Sequence, residues 1–296
     1  MLLDPTSPER AKPIVAMMGE FSAGKSTLAN LLLGETVSPV KVTATQLPPI
    51  WYTHGRGLPT RVDLDGTATQ IRPHEISDVD PEDTAYVKVP LAAGVLELMD
   101  LIDMPGISDP NMPSKVWKRL IHEADSVLWC SHATQAWRQS EAATWAELPP
   151  SLHAHSLLLL TRADKLSGQG DIDRVVARVE KEAQGLFSGI FPISLVRAAQ
   201  AGEDRDAWEQ SGAEAVTRTL LDIVFKLDAA TRRRPQMIVA SCRRHVSRAL
   251  SGNPVPGSEP AAPGHPIRPR RVTPRRSGGS RDRLPQSALH HMVPGT

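Results

Sequence analysis

The 296-residue chain carries 34 Lys and Arg against 33 Asp and Glu, and 40% of it is apolar, so it can bury a sizeable core while its overall charge selects no partner. Aromatic residues make up 4%, too few for a stacking surface on single-stranded nucleic acid, and nucleic-acid binding is not expected. Two distant cysteines, Cys130 and Cys242, make no zinc framework, and no run approaches the roughly 20 apolar residues that span a bilayer, so a cytoplasmic setting is expected.

Residues 1–12 read as a polar lead-in. Ile14-Val15-Ala16-Met17-Met18 predicts a short buried strand, and Ser26 to Leu33 a helix closed by Gly34. Between them runs a glycine-bounded loop, so the chain opens as half of a βαβ unit. Residues 35–58 contain Pro39, Pro48 and Pro49 and lack periodicity, which predicts a long irregular and functional segment. Arg61–Leu64 and Thr67–Ile71 flank Asp65-Gly66, a hairpin signal. Tyr86–Leu91 and Val95–Ile102 are expected as two further strands.

Val116–Ala124 has helical spacing, Ser126–Ser131 reads as a buried strand, and residues 135–147 predict a helix ended by Pro149-Pro150. Ser156-Leu157-Leu158-Leu159-Leu160 has the all-apolar character of a central parallel strand. A helix over Asp171–Phe187, a short strand over Phe191–Ser194 and a helix over Ala213–Leu227 complete the alternation. The expected fold is therefore α/β, a three-layer P-loop NTPase with a mostly parallel sheet, occupying residues 13–228. A basic amphipathic helix is expected over 229–250 and a Pro- and Arg-rich disordered tail over 251–296.

Four segments carry the chemistry. Gly19-Glu20-Phe21-Ser22-Ala23-Gly24-Lys25-Ser26, followed by Thr27, matches G-x-x-x-x-G-K-[ST]. Its glycines allow successive N–H groups to turn inward as an anion nest, and the helix start adds partial positive charge. Lys25 would meet the β- and γ-phosphates, and the Ser26 hydroxyl would meet Mg²⁺. Asp103-Met104-Pro105-Gly106 follows an apolar strand, which places Asp103 to hold Mg²⁺ through water and the Gly106 N–H to meet the γ-phosphate. Asp100 reads as structural.

The base is read from Thr161-Arg162-Ala163-Asp164. A carboxylate at that strand end can accept two hydrogen bonds from guanine N1–H and its exocyclic amine, and adenine lacks that donor pair. Arg162 stands where the [NT]-K-x-D guanine motif usually has Lys. In Val42-Thr43-Ala44-Thr45-Gln46, Thr45 is the candidate to reach Mg²⁺ from a mobile loop, with Thr43 as runner-up. Ile193-Ser194-Leu195, with Ser194 closing the last short strand, would bring backbone N–H groups near guanine O6.

This order of motifs resembles the translation-factor-like GTPases. The wording G-E-F-S-A-G-K-S-T with L-A-N-L-L-L-G resembles their bacterial dynamin-like branch. The resemblance implies GTP hydrolysis to GDP with Mg²⁺, a homodimer through facing GTPase domains, and Ser22 organising the transition state, sometimes with a monovalent cation. No Gln follows Gly106, so slow basal turnover is implied. The basic segment 229–250 and the tail could add peripheral contact with an anionic membrane. The competing readings are a P-loop ATPase or nucleotide kinase, and a GTP-binding module with negligible turnover.

Overall fold

The structure is a computed structural model, and it describes residues 12–34, 47–108 and 115–230. Among these, nine strands form one sheet: β1 Ile14–Gly19, β2 Ile50–His54, β3 Thr60–Asp63, β4 Ala68–Gln70, β5 Thr84–Leu91, β6 Asp100–Asp103, β7 Ser126–His132, β8 Leu157–Thr161 and β9 Gly189–Ile193. They lie in the order β4-β3-β5-β2-β6-β1-β7-β8-β9. The helices are α1 Lys25–Leu33, α2 Val95–Leu98, α3 Lys115–Leu120, α4 Gln139–Ala146, α5 Gln169–Glu182, α6 Leu195–Ala201, α7 Arg205–Gln210 and α8 over 213–230.

From β6 through β1, β7 and β8 to β9 every pairing is parallel. Antiparallel pairing enters where β2 meets β6 and where β3 pairs with β4 and β5. The central strands are buried on both faces, as an α/β sheet requires. Alternation does the sorting. Val15 and Met17 face one core with Leu28 and Leu33 of α1, Leu195 of α6 and Val216 and Leu220 of α8. Ile14, Ala16 and Met18 face the other with Trp117 of α3, Trp145 of α4 and Val179 of α5. The α/β sandwich expected from the strand–helix alternation is the one formed.

Two local expectations are corrected. The reading of Val95–Ile102 as one strand fails because Val95–Leu98 closes a helical turn, the Met99 N–H donating to the Val95 carbonyl at 3.2 Å. Leu96 and Met99, three apart, are both fully buried on that turn, and pairing with β1 begins only at Asp100. The segment 35–58 is not irregular throughout, since Ile50–His54 is a strand that pairs with β5 along its length and with β6 through Ile50, Trp51 and Tyr52. Trp51 and Tyr52, large and β-favouring, are the signal that the surrounding prolines masked. Between β9 and α8, where the sequence reading assigned no element, the Ser194 and Asp204 side chains cap α6 and α7.

Residues 1–11, 35–46, 109–114 and 231–296 lie outside the described residues. With them lie Thr43, Thr45, Cys242, all of the expected disordered tail, and the basic helix beyond residue 230.

Candidate functional site

The carboxyl ends of β1, β6, β8 and β9 meet at one edge of the sheet, and each delivers one of the sequence motifs. β1 ends at Gly19, whose φ is 140°. A Cβ there would fall 2.1 Å from the Cys130 carbonyl oxygen of β7, so only glycine fits. The chain then turns through Ser22, a non-glycine residue with φ 60°, and Gly24, with φ 95°, before α1 starts at Lys25. Such conformations are uncommon for a serine and concentrate at functional turns.

Lys25 is 8% exposed, and its Nζ donates to the carbonyls of Gly19 at 3.1 Å and Glu20 at 2.8 Å. Its charge therefore sits within the loop, bounded by the backbone it would share with an anion. Ser26 and Thr27 stand exposed on the first turn of α1. The Ser26 hydroxyl donates to Asp103 Oδ2 at 3.2 Å, so the hydroxyl and carboxylate picked from separate motifs are neighbours. Burial pushes the Asp103 carboxyl up to about 6, against the lowering effects of Lys25 and the Ser26 hydrogen bond.

Gly106 packs on the loop, since a Cβ there would lie 3.0 Å from both Cα and N of Phe21. The Ile107 N–H donates to the Gly19 carbonyl at 3.2 Å, and the Ser108 hydroxyl accepts from the Phe21 N–H at 3.1 Å. Ser108 is a contributor that motif reading missed. Asp100 is structural, as expected: it accepts from Trp51 Nε1 at 2.9 Å and Thr53 Oγ1 at 3.0 Å and pairs with Lys12 at 2.9 Å.

On the other flank, Thr161 is fully buried and its hydroxyl donates to the Ala23 carbonyl at 2.8 Å and the Ser131 carbonyl at 3.1 Å. Arg162, at φ 56°, turns its guanidinium onto the Ser22 carbonyl at 2.9 Å. The arginine in place of lysine thus reaches the phosphate loop. Asp164 Oδ1 accepts from Ser194 Oγ at 2.6 Å. Leu195 closes against Gly24, with its Cδ1 3.0 Å from the position of a Cβ there.

Gly19 to Thr27, Asp103, Gly106, Thr161, Arg162, Asp164 and Ser194 all gather at this edge. Thr45 and Thr43 lie outside the described residues. Sequence reading also missed Arg138, Ser140 and Glu141. Arg138 and Ser140 contact Glu20, at 3.0 and 2.9 Å, and the R-Q-S-E spacing, with Glu141 accepting from the Arg138 N–H, marks only the start of α4 and not those contacts. Among the described residues no three His, Cys, Asp or Glu side chains could hold a metal as a group.

No family model matches the chain. Dynamin-like protein 2 of Campylobacter jejuni is 23% identical over 222 residues, covering 72% of this chain and 35% of that protein. The GTPase Era of Aquifex aeolicus is 24% identical over 196 residues, covering 64% of this chain and 53% of that protein. Solved structures of an oligomerised bacterial dynamin pair, described as a mechanism for long-range sensing and tethering of membranes, superpose with TM-scores of 0.60 and 0.61. They are 14% and 15% identical and cover 82% of this chain.

The described domain is thus similar in sequence to a bacterial dynamin-like protein and to the GTPase Era, and in fold to bacterial dynamins. The chain spans about a third and about half of the lengths of the two curated relatives, 35% and 53%. No helix among the described residues is long and apolar enough to cross a membrane.

Proposed function

We propose that the chain is a dynamin-like GTPase domain that binds GTP with Mg²⁺ and hydrolyses it to GDP and phosphate. The observation that carries the reading is the position of Asp164. It sits in the turn Ala163–Lys165 directly after β8, three residues past Thr161, whose hydroxyl donates to the Ala23 carbonyl of the phosphate loop, and Ser194 donates to its carboxylate. A base-reading carboxylate and an anion nest thereby share one rigid scaffold. An ATPase or nucleotide kinase gains nothing from a carboxylate facing guanine's two donors.

The residues have defined tasks in this reading. Backbone N–H groups from Gly19 to Ser26 and the start of α1 receive the phosphates, with Lys25 against the β- and γ-oxygens. Asp164 accepts from guanine N1–H and the exocyclic amine, with Ser194 beside it. The guanidinium of Arg162 secures the Ser22 carbonyl and lies along the base side of the loop.

Ser26 and Asp103 fit a hard cation, being adjacent oxygen donors. They would hold Mg²⁺ with a threonine of the 43–45 segment, Thr45 first. When bound, the ion neutralises charge on the phosphate oxygens. Gly106 would present its N–H to the γ-phosphate, and the Ser22 hydroxyl to charge growing between the β- and γ-phosphates. Without a glutamine after Gly106, the attacking water is oriented by backbone and the 43–45 segment, so basal turnover is slow.

A monovalent cation beside Ser22, a homodimer through the GTPase domain and peripheral contact of residues 229–296 with anionic membranes belong to the same proposal. The resemblance to dynamins supports the first two, and the Arg-rich composition supports the third.

The test is single-turnover phosphate release from GTP with Mg²⁺, for wild type and Ser22→Ala, across protein concentrations. Release by wild type that slows in Ser22→Ala supports the reading. Release by neither leaves a GTP-binding module instead. A rise in specific activity with concentration supports dimerisation, and turnover in potassium against choline chloride tests the monovalent cation.

A further inference from the structure

The residue after Gly19 in the phosphate loop is an acid, Glu20, an unexpected charge beside a nest for anions. Its side chain is 16% exposed, and both oxygens are held by one distant segment. Arg138 Nη1 donates to Oε2 at 3.0 Å and Ser140 Oγ to Oε1 at 2.9 Å. The same region gathers further positive charge. At the end of β7, burial, then Arg162 and Arg138, hold the His132 imidazole below its ordinary range, and Glu20 acts against them.

The segment presenting Arg138 and Ser140 is held from several directions. Trp137 just before it has φ 59°, a conformation rare for a bulky residue that persists only where its surroundings enforce it. Its N–H donates to Ser131 Oγ at 3.0 Å, and the preceding Ala136 carbonyl accepts from Arg178 at 2.9 Å. Glu141, 1% exposed, accepts from the Arg138 N–H at 3.0 Å, Ser131 Oγ at 2.8 Å and Trp129 Nε1 at 3.0 Å. The Trp137 ring packs edge-on to Trp129 and Phe187. Arg138 and Ser140 are thus projected from a fixed platform, which reduces the ordering entropy that makes ordinary exposed ion pairs weak.

What they hold matters for the nest. The Glu20 carbonyl accepts from Lys25 Nζ at 2.8 Å and from the Ala23 N–H at 3.2 Å. Fixing the Glu20 side chain fixes the peptide that aims Lys25 and closes the loop's turn.

We propose that Arg138 and Ser140 are positioning residues of the nucleotide site, clamping Glu20 so that the phosphate loop stays in its anion-receiving shape and nucleotide leaves slowly. The inference rests on the guanine-nucleotide reading above. Loss of the clamp lets the loop leave the receptive conformation, which speeds nucleotide release and raises KM.

The full chain, loaded with N-methylanthraniloyl-GDP and chased with excess GDP, tests this. Release should quicken about two- to fivefold in Arg138→Ala and in Glu20→Gln, the span expected for an ion pair of this exposure. Ser140→Ala should quicken it less. The Arg138→Ala, Glu20→Gln double variant should release no faster than the faster single variant, because both remove one interaction. Arg138→Lys, which keeps the charge, should restore part of the slow release. A general loss of folding would lower the loaded fraction without changing the rate from molecules that remain loaded. Unchanged release in the single variants, or multiplying effects in the double, overturns the clamp alone. A wild-type chain that retains no GDP overturns the nucleotide reading, and the clamp with it.

Discussion

Ser194 Oγ donates to Asp164 Oδ1 over 2.6 Å, joining the residues that follow two neighbouring parallel strands, β8 and β9. Ser194 also accepts from the Arg197 N–H as the cap of α6, so one hydroxyl orients the carboxylate and starts a helix. Asp164→Asn is expected to weaken GTP binding by about 2–4 kcal/mol, because the amide turns a donor toward a donor of guanine. Ser194→Ala should cost about 1 kcal/mol of stability through the lost cap and a smaller part of the affinity. Titration calorimetry and urea melts of both variants separate the two effects.

Gly19→Ala places a methyl group 2.1 Å from the Cys130 carbonyl at a backbone φ of 140°. Backbone on both sides leaves no flexible group to yield. We expect a loss of about 3 kcal/mol or more, or no soluble protein. Gly34→Ala, where nothing lies within 4 Å of the added methyl but φ is 73°, should cost about 1 kcal/mol. Thermal melts of the pair distinguish a steric block from a conformational preference.

Much of this was legible from residue order. Leu157 to Leu160 and Ile14 to Met18 are unbroken apolar runs, and such runs become the central strands whose both faces are covered. The phosphate loop, Asp103 and Asp164 were found because each is a polar motif directly after such a run. β2 was missed because prolines at 48 and 49 precede it and local pattern does not reveal that Ile50–His54 would pair with β5 and β6. Val95–Leu98 misled because an apolar stretch of that length suits a strand or a helical turn equally, and only burial of both Leu96 and Met99 decides. The clamp on Glu20 spans 118 residues and carries no motif, so three-dimensional proximity alone shows it.

Glu141 is a buried carboxylate whose three donors are all protein groups. Burial raises its pKa and those hydrogen bonds oppose the rise. Glu141→Ala strands the Trp129 indole N–H in the core and should cost about 2–4 kcal/mol. Urea unfolding followed by tryptophan fluorescence measures it. Glu141→Gln, which retains acceptor capacity, should lose less.

Cys130 is fully buried beneath the phosphate loop, and burial pushes its thiol up to about 12. The reactive thiolate is therefore scarce between pH 7 and 9 in the folded protein. Iodoacetamide should leave Cys130 unmodified across that range and label it fully in denaturant, as read by peptide mass mapping. Rapid labelling in the native protein would contradict its place in the core.

The central claim is that the phosphate loop and Asp164 form one guanine-nucleotide site. It is tested most directly by loading the chain with N-methylanthraniloyl-GDP and Mg²⁺ and competing with GTP or ATP. The account predicts displacement by GTP at concentrations at least about a hundredfold below those ATP requires, a gap of at least ~2.7 kcal/mol. It also predicts that the gap collapses in Asp164→Asn. Equal displacement by ATP, or a gap that survives Asp164→Asn, would contradict it.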